Sequence, residues 1–155
     1  VFPFNTHYYP KIVRSGFPAV QRWTRKVSLS DYRLLLLPVH LGAHWTMAVV
    51  HPQERCIRYY DALGGRNGSG LSAVANYLSD EAREKTGSSV DYTIEYPSPC
   101  PRQSNGYDCG VFACVYALAA VVKLVYGDAV DCEFGQRNMP YFRDRISYEL
   151  LEGRL

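Results

Sequence analysis

Residues 103–118, QSNGYDCGVFACVYAL, begin as a polar turn and end as an apolar helix, with Cys109 at the join. A helix N-terminus carries about half a positive charge and unpaired N–H groups. A thiolate is stabilised in such a place, the more so beside an imidazolium, so the position suits a nucleophile. Gly106 and Gly110 are expected to turn the backbone tightly and leave space against the sulfur. Asp108 is expected to cap the helix. The alternative is a buried cysteine that only packs. Cys114, in the middle of the apolar helix, fits that description better.

A nucleophilic cysteine needs a base and a group to orient that base. Among the four histidines His44 is the preferred base, because it opens a strand-like run just after Gly42 and Ala43; His7, His40 and His51 remain alternatives. If 44–50 and 56–61 form a hairpin, Asp61 lies opposite His44 and can hold the ring through Nδ1. Asp61 can also be read as a turn residue before Gly64-Gly65. Acyl transfer further needs donors for the oxyanion, and the Cys109 backbone N–H and the Gln103 side-chain amide are the candidates. Asn105 reads better as a turn former before Gly106.

These residues need a framework. Runs at 33–39, 44–50 and 56–63 read as strands, the first of them continuously apolar as in a buried strand, and 90–96 alternates as a strand does. Helical spacing starts at Leu71 and stops at Gly87, resumes near Cys109 until about Tyr126, and returns from about Pro140 to Leu151 with Phe142, Ile146 and Leu150 on one face. Pro18 is expected to open a short helix over 18–26, and 1–15 reads as a helix end or an irregular packed segment. Strands cluster and helices cluster, which makes the fold class α+β.

With 155 residues the chain is long enough for one sizeable core. A net charge of +2 without any Lys/Arg run gives no basis for a nucleic-acid partner. The apolar run 111–122 is too short to span a bilayer, so no membrane is expected. The five cysteines form no C-x-x-C pair and the histidines no H-x3-5-H pair, so neither a disulfide framework nor a metal site is expected, and the compartment reads as reducing. The chain begins at Val1 without a secretory signal pattern and is expected to be part of a longer polypeptide.

His44-Trp45 in GAHWTMAVV, Asp61 in IRYYDALGG, and Gln103 with Cys109 in PRQSNGYDCGVFACVYA resemble the SUMO-specific (Ulp/sentrin-specific) cysteine proteases of the adenain-like group, in chain order and intervals. VFPFNTHYYPKI, RWTRKV and QRNMPYFRDRI are similar to further stretches of that family, so the resemblance covers nearly the whole chain. It implies a papain-like α+β fold, the nucleophile helix packed on a central, mostly antiparallel sheet. It implies thiol hydrolysis after the C-terminal Gly-Gly of SUMO, in precursors and in conjugates, with no cofactor, by a monomer in the nucleus or the cytoplasm. His44 would be general base and acid, Asp61 the orienting carboxylate, Gln103 the oxyanion donor and Cys109 the nucleophile. Trp45 would lie over the channel for the Gly-Gly tail, near Gly106, where an indole over a bare backbone excludes larger residues. Arg22, Trp23, Arg25 and Lys26 would face the SUMO surface. Residues 1–155 would form the catalytic domain without its usual N-terminal part, whose tryptophan forms the opposite channel wall in the family. Two other readings stay open: the same chemistry on ubiquitin or another ubiquitin-like modifier, and a module that binds a modifier without cutting it.

Overall fold

The apolar run at 34–39 has no polar side because one face is buried and the other half-buried. In the computed structural model, which describes residues 1–127 and 133–153, a five-stranded sheet runs in the order β1 (Phe2–Pro3), β2 (Leu35–His40), β3 (Trp45–His51), β4 (Cys56–Tyr60) and β5 (Thr93–Glu95). The three middle strands pair antiparallel, from Leu35↔Val50 to His40↔Trp45 and from Met47↔Tyr60 to His51↔Cys56. Both edge strands pair parallel, so the sheet is mixed. Alternate residues along a strand point to opposite faces. Ala48 and Val50 therefore join one core, with Leu35, Leu37 and Ile57, while Met47 and Val49 join another with Leu34.

The first core is closed by α1 (Tyr8–Ser15) and α3 (Gly68–Thr86), through Tyr8, Ile12, Leu71, Val74 and Tyr77. The second is closed by α4 (Cys109–Tyr126) and the start of α5 (Met139–Glu152), through Phe112, Val115, Tyr116 and Met139. Each fully buried side chain of this size stabilises the packing by about 1.5–3 kcal/mol. The result is a helix–sheet–helix sandwich of the α+β class, with α4 laid along β3.

Several elements differ from the sequence expectation for identifiable reasons. The N-terminal segment holds a two-residue strand and a helix, α1; Pro10 is its third residue, where the N–H has no intrahelical partner in any case. The segment at 18–26 is a 3₁₀ turn, Phe17–Ala19, followed by the four-residue α2 (Gln21–Thr24). α3 starts three residues before Leu71 and ends as expected, with Gly87 in the left-handed region (φ 79°) returning its N–H to the Arg83 carbonyl. On α5, Phe142 and Ile146 pack against the second core, but Leu150 is 78% exposed because the helix runs on past its end. α4 is, among the described residues, a helix long and apolar enough to cross a membrane. Its first half is spent on the core, while Val125 and Tyr126 near its end are exposed. Cys132, in the apolar segment after it, lies outside the described residues.

Candidate active site

β2 and β3 are joined by Leu41–His44, closed by a hydrogen bond from the Leu41 N–H to the His44 carbonyl (2.8 Å), with Gly42 in the left-handed region (φ 87°). The His44 ring leaves this turn towards Asp61, and Nε2 donates to Asp61 Oδ1 at 2.6 Å. The nitrogen is Nε2, not the expected Nδ1. The ladder explains the difference. Met47 pairs with Tyr60, so Asp61 lies one residue beyond the last pair and His44 three residues before it, and the two are not opposite each other. The tip of the ring, Nε2, spans that offset. Nδ1 is left as the nitrogen available to a thiol.

Asp61 is buried, 6% exposed. Its Oδ1 also accepts the Leu63 N–H (2.8 Å), and its Oδ2 accepts the Gly65 N–H (3.0 Å). The turn and the orienting roles therefore coincide: the backbone of the DALGG turn wraps the carboxylate that aligns His44. Gly65 has no room for a side chain, since a Cβ there would lie 2.6 Å from Asp61 Oδ2. Gly65→Ala should displace the carboxylate, and a misplacement of about 1 Å costs on the order of 10²-fold in rate. We expect that loss in kcat for the variant, with circular dichroism unchanged.

The next residue, Ala62, accepts the Gln103 N–H through its carbonyl (3.0 Å), which ties the loop before α4 to the Asp61 turn. Gln103 Nε2 donates one hydrogen to the Asn105 carbonyl (2.6 Å); a side-chain amide carries two, so the second remains for a ligand. Asn105 forms the turn as expected: its Oδ1 accepts the N–H groups of Tyr107 (3.2 Å) and Asp108 (3.1 Å). That side chain makes the turn, and neither Gly106 nor Gly110 has a left-handed backbone, contrary to the expectation of a glycine-dependent bend. Gly106 borders open space: a Cβ there would meet nothing within 4 Å.

Cys109 is the first residue of α4 and is buried, 9% exposed. The helix start lies against Trp45, because a Cβ on Gly110 would be 3.9 Å from Trp45 Cδ1. Trp45 in turn stacks on its cross-strand partner His40, with centroids 4.2 Å apart. His44 is thus bonded to Asp61, Gln103 is tied to Ala62 next to Asp61, and Gly110 next to Cys109 lies against Trp45 next to His44. Cys114 faces outward, not into the core as its apolar surroundings suggested. Asp108 stands at the N-cap position but does not cap. Its carboxylate instead accepts hydrogen bonds from Arg143 Nε (2.9 Å) and Nη2 (2.6 Å), Gln136 Nε2 (2.7 Å) and Asn105 Nδ2 (2.6 Å). Burial alone would raise the Asp108 carboxyl pKa, but these hydrogen bonds and the Arg143 charge hold it below the usual carboxylate range. Sequence reasoning gave Gln136 and Arg143 no role; nothing local marks a partner 28 or 35 residues away.

Arg22, Trp23 and Arg25 lie elsewhere. Trp23 packs on Tyr8 of α1, with centroids 5.1 Å apart, and Arg25 lines a shallow pocket with Phe17, Glu84 and Lys85. That places them on the α1–α3 side of the sheet, whereas α4 is on the other, and among the described residues no contact joins them to the quartet.

The model of the Ulp1 protease family C-terminal catalytic domain matches residues 3–155. A sentrin-specific protease of Caenorhabditis elegans is 39% identical over the whole chain, and human sentrin-specific protease 2 is 33% identical over 98% of it. The chain spans 22% and 26% of the length of these two relatives. Among solved structures, the Ulp1-like SUMO protease catalytic domain of Chaetomium thermophilum superposes with a TM-score of 0.74 at 26% identity, covering 98% of this chain and 60% of that one. The C-terminal Ulp1 protease domain in complex with Smt3, the yeast orthologue of SUMO, has the same fold, with a TM-score of 0.75 at 24% identity, covering 97% of this chain and 67% of that one.

Proposed function

The chain belongs to the Ulp1 protease family, and from that premise we propose that it is a thiol protease acting after the C-terminal Gly-Gly of SUMO, on the peptide bond of a precursor or the isopeptide bond of a conjugate. The observation that carries the reading is the His44–Asp61 bond beside the uncapped, cysteine-bearing start of α4. Asp61 takes the Nε2 hydrogen, so the neutral ring presents Nδ1 as an acceptor. Nδ1 removes the Cys109 proton as Sγ attacks the carbonyl carbon of the terminal glycine. The charge that develops on the carbonyl oxygen is taken by the Cys109 N–H and the second Gln103 hydrogen. The imidazolium then gives its proton to the departing amine and leaves a thioester. Water attacks the thioester, with Nδ1 again accepting the proton, and the carboxylate product and free thiol result.

Trp45 is proposed to cover the Gly-Gly tail, its indole held by the His40 stack. Trp45→Ala is expected to raise KM for a modifier fusion about tenfold or more, with a smaller change in kcat, and to relax rejection of an alanine in the tail. Steady-state kinetics on Gly-Gly and Gly-Ala substrates check this. Arg22, Arg25 and Lys26, exposed around α2, are proposed as a face for acidic groups of the modifier. A nuclear location is proposed with this reading and is tested by imaging a tagged chain.

The test of the function is a panel of aminocoumarin derivatives of SUMO, ubiquitin and another ubiquitin-like modifier, each ending in Gly-Gly. Turnover at least about tenfold faster on SUMO supports the proposal. Preference for another modifier keeps the chemistry and replaces the substrate, and binding without turnover of any of them leaves only the non-cutting module.

A further inference from the structure

Asp108 poses a physical problem. Aspartate at a helix N-cap ordinarily accepts a hydrogen bond from the first turn, and this one does not. Its side chain is buried, 5% exposed, and its carboxylate is held by Arg143 and Gln136. Both partners grip the loop a second time through its backbone. Arg143 Nη2 donates to the Tyr107 carbonyl (3.1 Å), and Gln136 Oε1 accepts the Ser104 N–H (2.8 Å). The loop between the oxyanion amide and the nucleophile is therefore held at 104, 105, 107 and 108, from one side, by residues of the α5 segment and by its own Asn105.

We infer that Arg143, assisted by Gln136, is a positioning residue for the oxyanion site: it draws the Asp108 carboxylate off the start of α4 and fixes the 103–109 loop, so that the Cys109 N–H and the second Gln103 amide hydrogen stay aligned and away from that negative charge. This rests on the protease reading above. The withdrawal matters because a carboxylate capping the first turn, through the N–H of Gly110 or Val111, would bring a negative charge to the place where the substrate oxygen becomes negative. A fork-shaped guanidinium meets one carboxylate oxygen through two nitrogens and a neighbouring carbonyl at once, which an ammonium cannot do.

The experiment is kinetic, on the SUMO–aminocoumarin substrate, below the melting temperature of each variant. Arg143→Met is expected to lower kcat about 10- to 10²-fold with KM within about threefold, and Arg143→Lys to fall between it and wild type; loss of one oxyanion donor costs about 10²–10³-fold. In a Gln103→Ala background the same Arg143→Met change should cost less than about threefold, because residues acting through one group are not additive. If Arg143→Met does not fold, Gln136→Met, which removes the grip on Ser104 and one bond to Asp108, carries the same test. Unchanged kcat in these variants, or an equal loss with and without Gln103, overturns the inference and leaves a staple between α4 and α5. Wild-type turnover tests the protease reading, and the ratio of variant to wild type tests this one, so the two fail separately.

Discussion

Cys109→Ala should reduce cleavage of a SUMO C-terminal fusion by at least about 10⁴-fold and leave the fold in place. The chemical half follows from the position of the sulfur at the start of α4, on the helix that packs beside Trp45 and the His44 turn. The structural half follows from where α4 gains its stability. Phe112, Val115 and Tyr116 hold it on the sheet, and trimming one sulfur atom from the first turn removes roughly a methylene's worth of burial, about 1 kcal/mol, or a few degrees in melting temperature. Gel cleavage and a thermal melt on the same preparation check both halves. Measurable turnover by the variant would remove Cys109 from the mechanism. Cys114 supplies an internal control: it is exposed on the same helix, so a general alkylating agent reaches it, whereas a SUMO tail carrying a C-terminal electrophile should label Cys109 alone. Labelling that follows exposure rather than the tail would argue for the non-cutting module.

The parts of this molecule legible in the sequence are those governed by local pattern. α4 was bounded correctly because a turn-forming Asn105 and a polar loop precede an unbroken apolar run, and Gly127 follows it. β2, β3 and β4 were placed within one to three residues because their apolar runs end at Gly42, at the 52–55 turn and at the DALGG turn. His44 and Asp61 were paired because a short hairpin brings its two open ends together, whatever its register. Register decides the rest. A shift of two residues changed which ring nitrogen meets Asp61, and no composition or spacing encodes that shift. The orientation of Cys114 was illegible for a related reason: a helix apolar all round has no periodicity to say which side faces the sheet. Leu150 kept the helical spacing of Phe142 and Ile146 but lies beyond the edge of the core, which only the length of α4 and the sheet defines. The Asp108–Arg143 pair is the extreme case. Asp108 looked like a cap because local physics makes aspartate a good one, and a bidentate partner from α5, with Gln136 and Asn105, outcompetes that local preference.

The second large effect is Asp61→Asn, which is expected to lower kcat by on the order of 10²–10⁴-fold with little change in KM. The argument is a count of donors. Three hydrogens point at the carboxylate: His44 Nε2–H and the Leu63 N–H at Oδ1, and the Gly65 N–H at Oδ2. An ionised carboxylate accepts all three, and a carboxamide of the same shape offers one oxygen and one NH₂. If its oxygen replaces Oδ1, the NH₂ faces the Gly65 N–H, two donors meet in a buried site, and the turn must open. If its oxygen replaces Oδ2, the NH₂ faces the Leu63 N–H, again two donors, and His44 Nε2, which must then become the acceptor. The ring hydrogen moves to Nδ1, and the nitrogen proposed to act on the thiol can no longer take its proton. Both outcomes cost the turn a hydrogen bond, at Gly65 in the first and at Leu63 in the second; only the second reverses the base. They are separable by measurement. The melting temperature falls in both; ¹⁵N shifts showing a hydrogen still on Nε2, with residual turnover, mark the first, and shifts showing a protonated Nδ1 mark the second. Either carries the loss into kcat, because the substrate tail is proposed to bind elsewhere, under Trp45. An Asp61→Asn chain with wild-type kcat would mean that the 2.6 Å bond to His44 orients nothing the reaction needs.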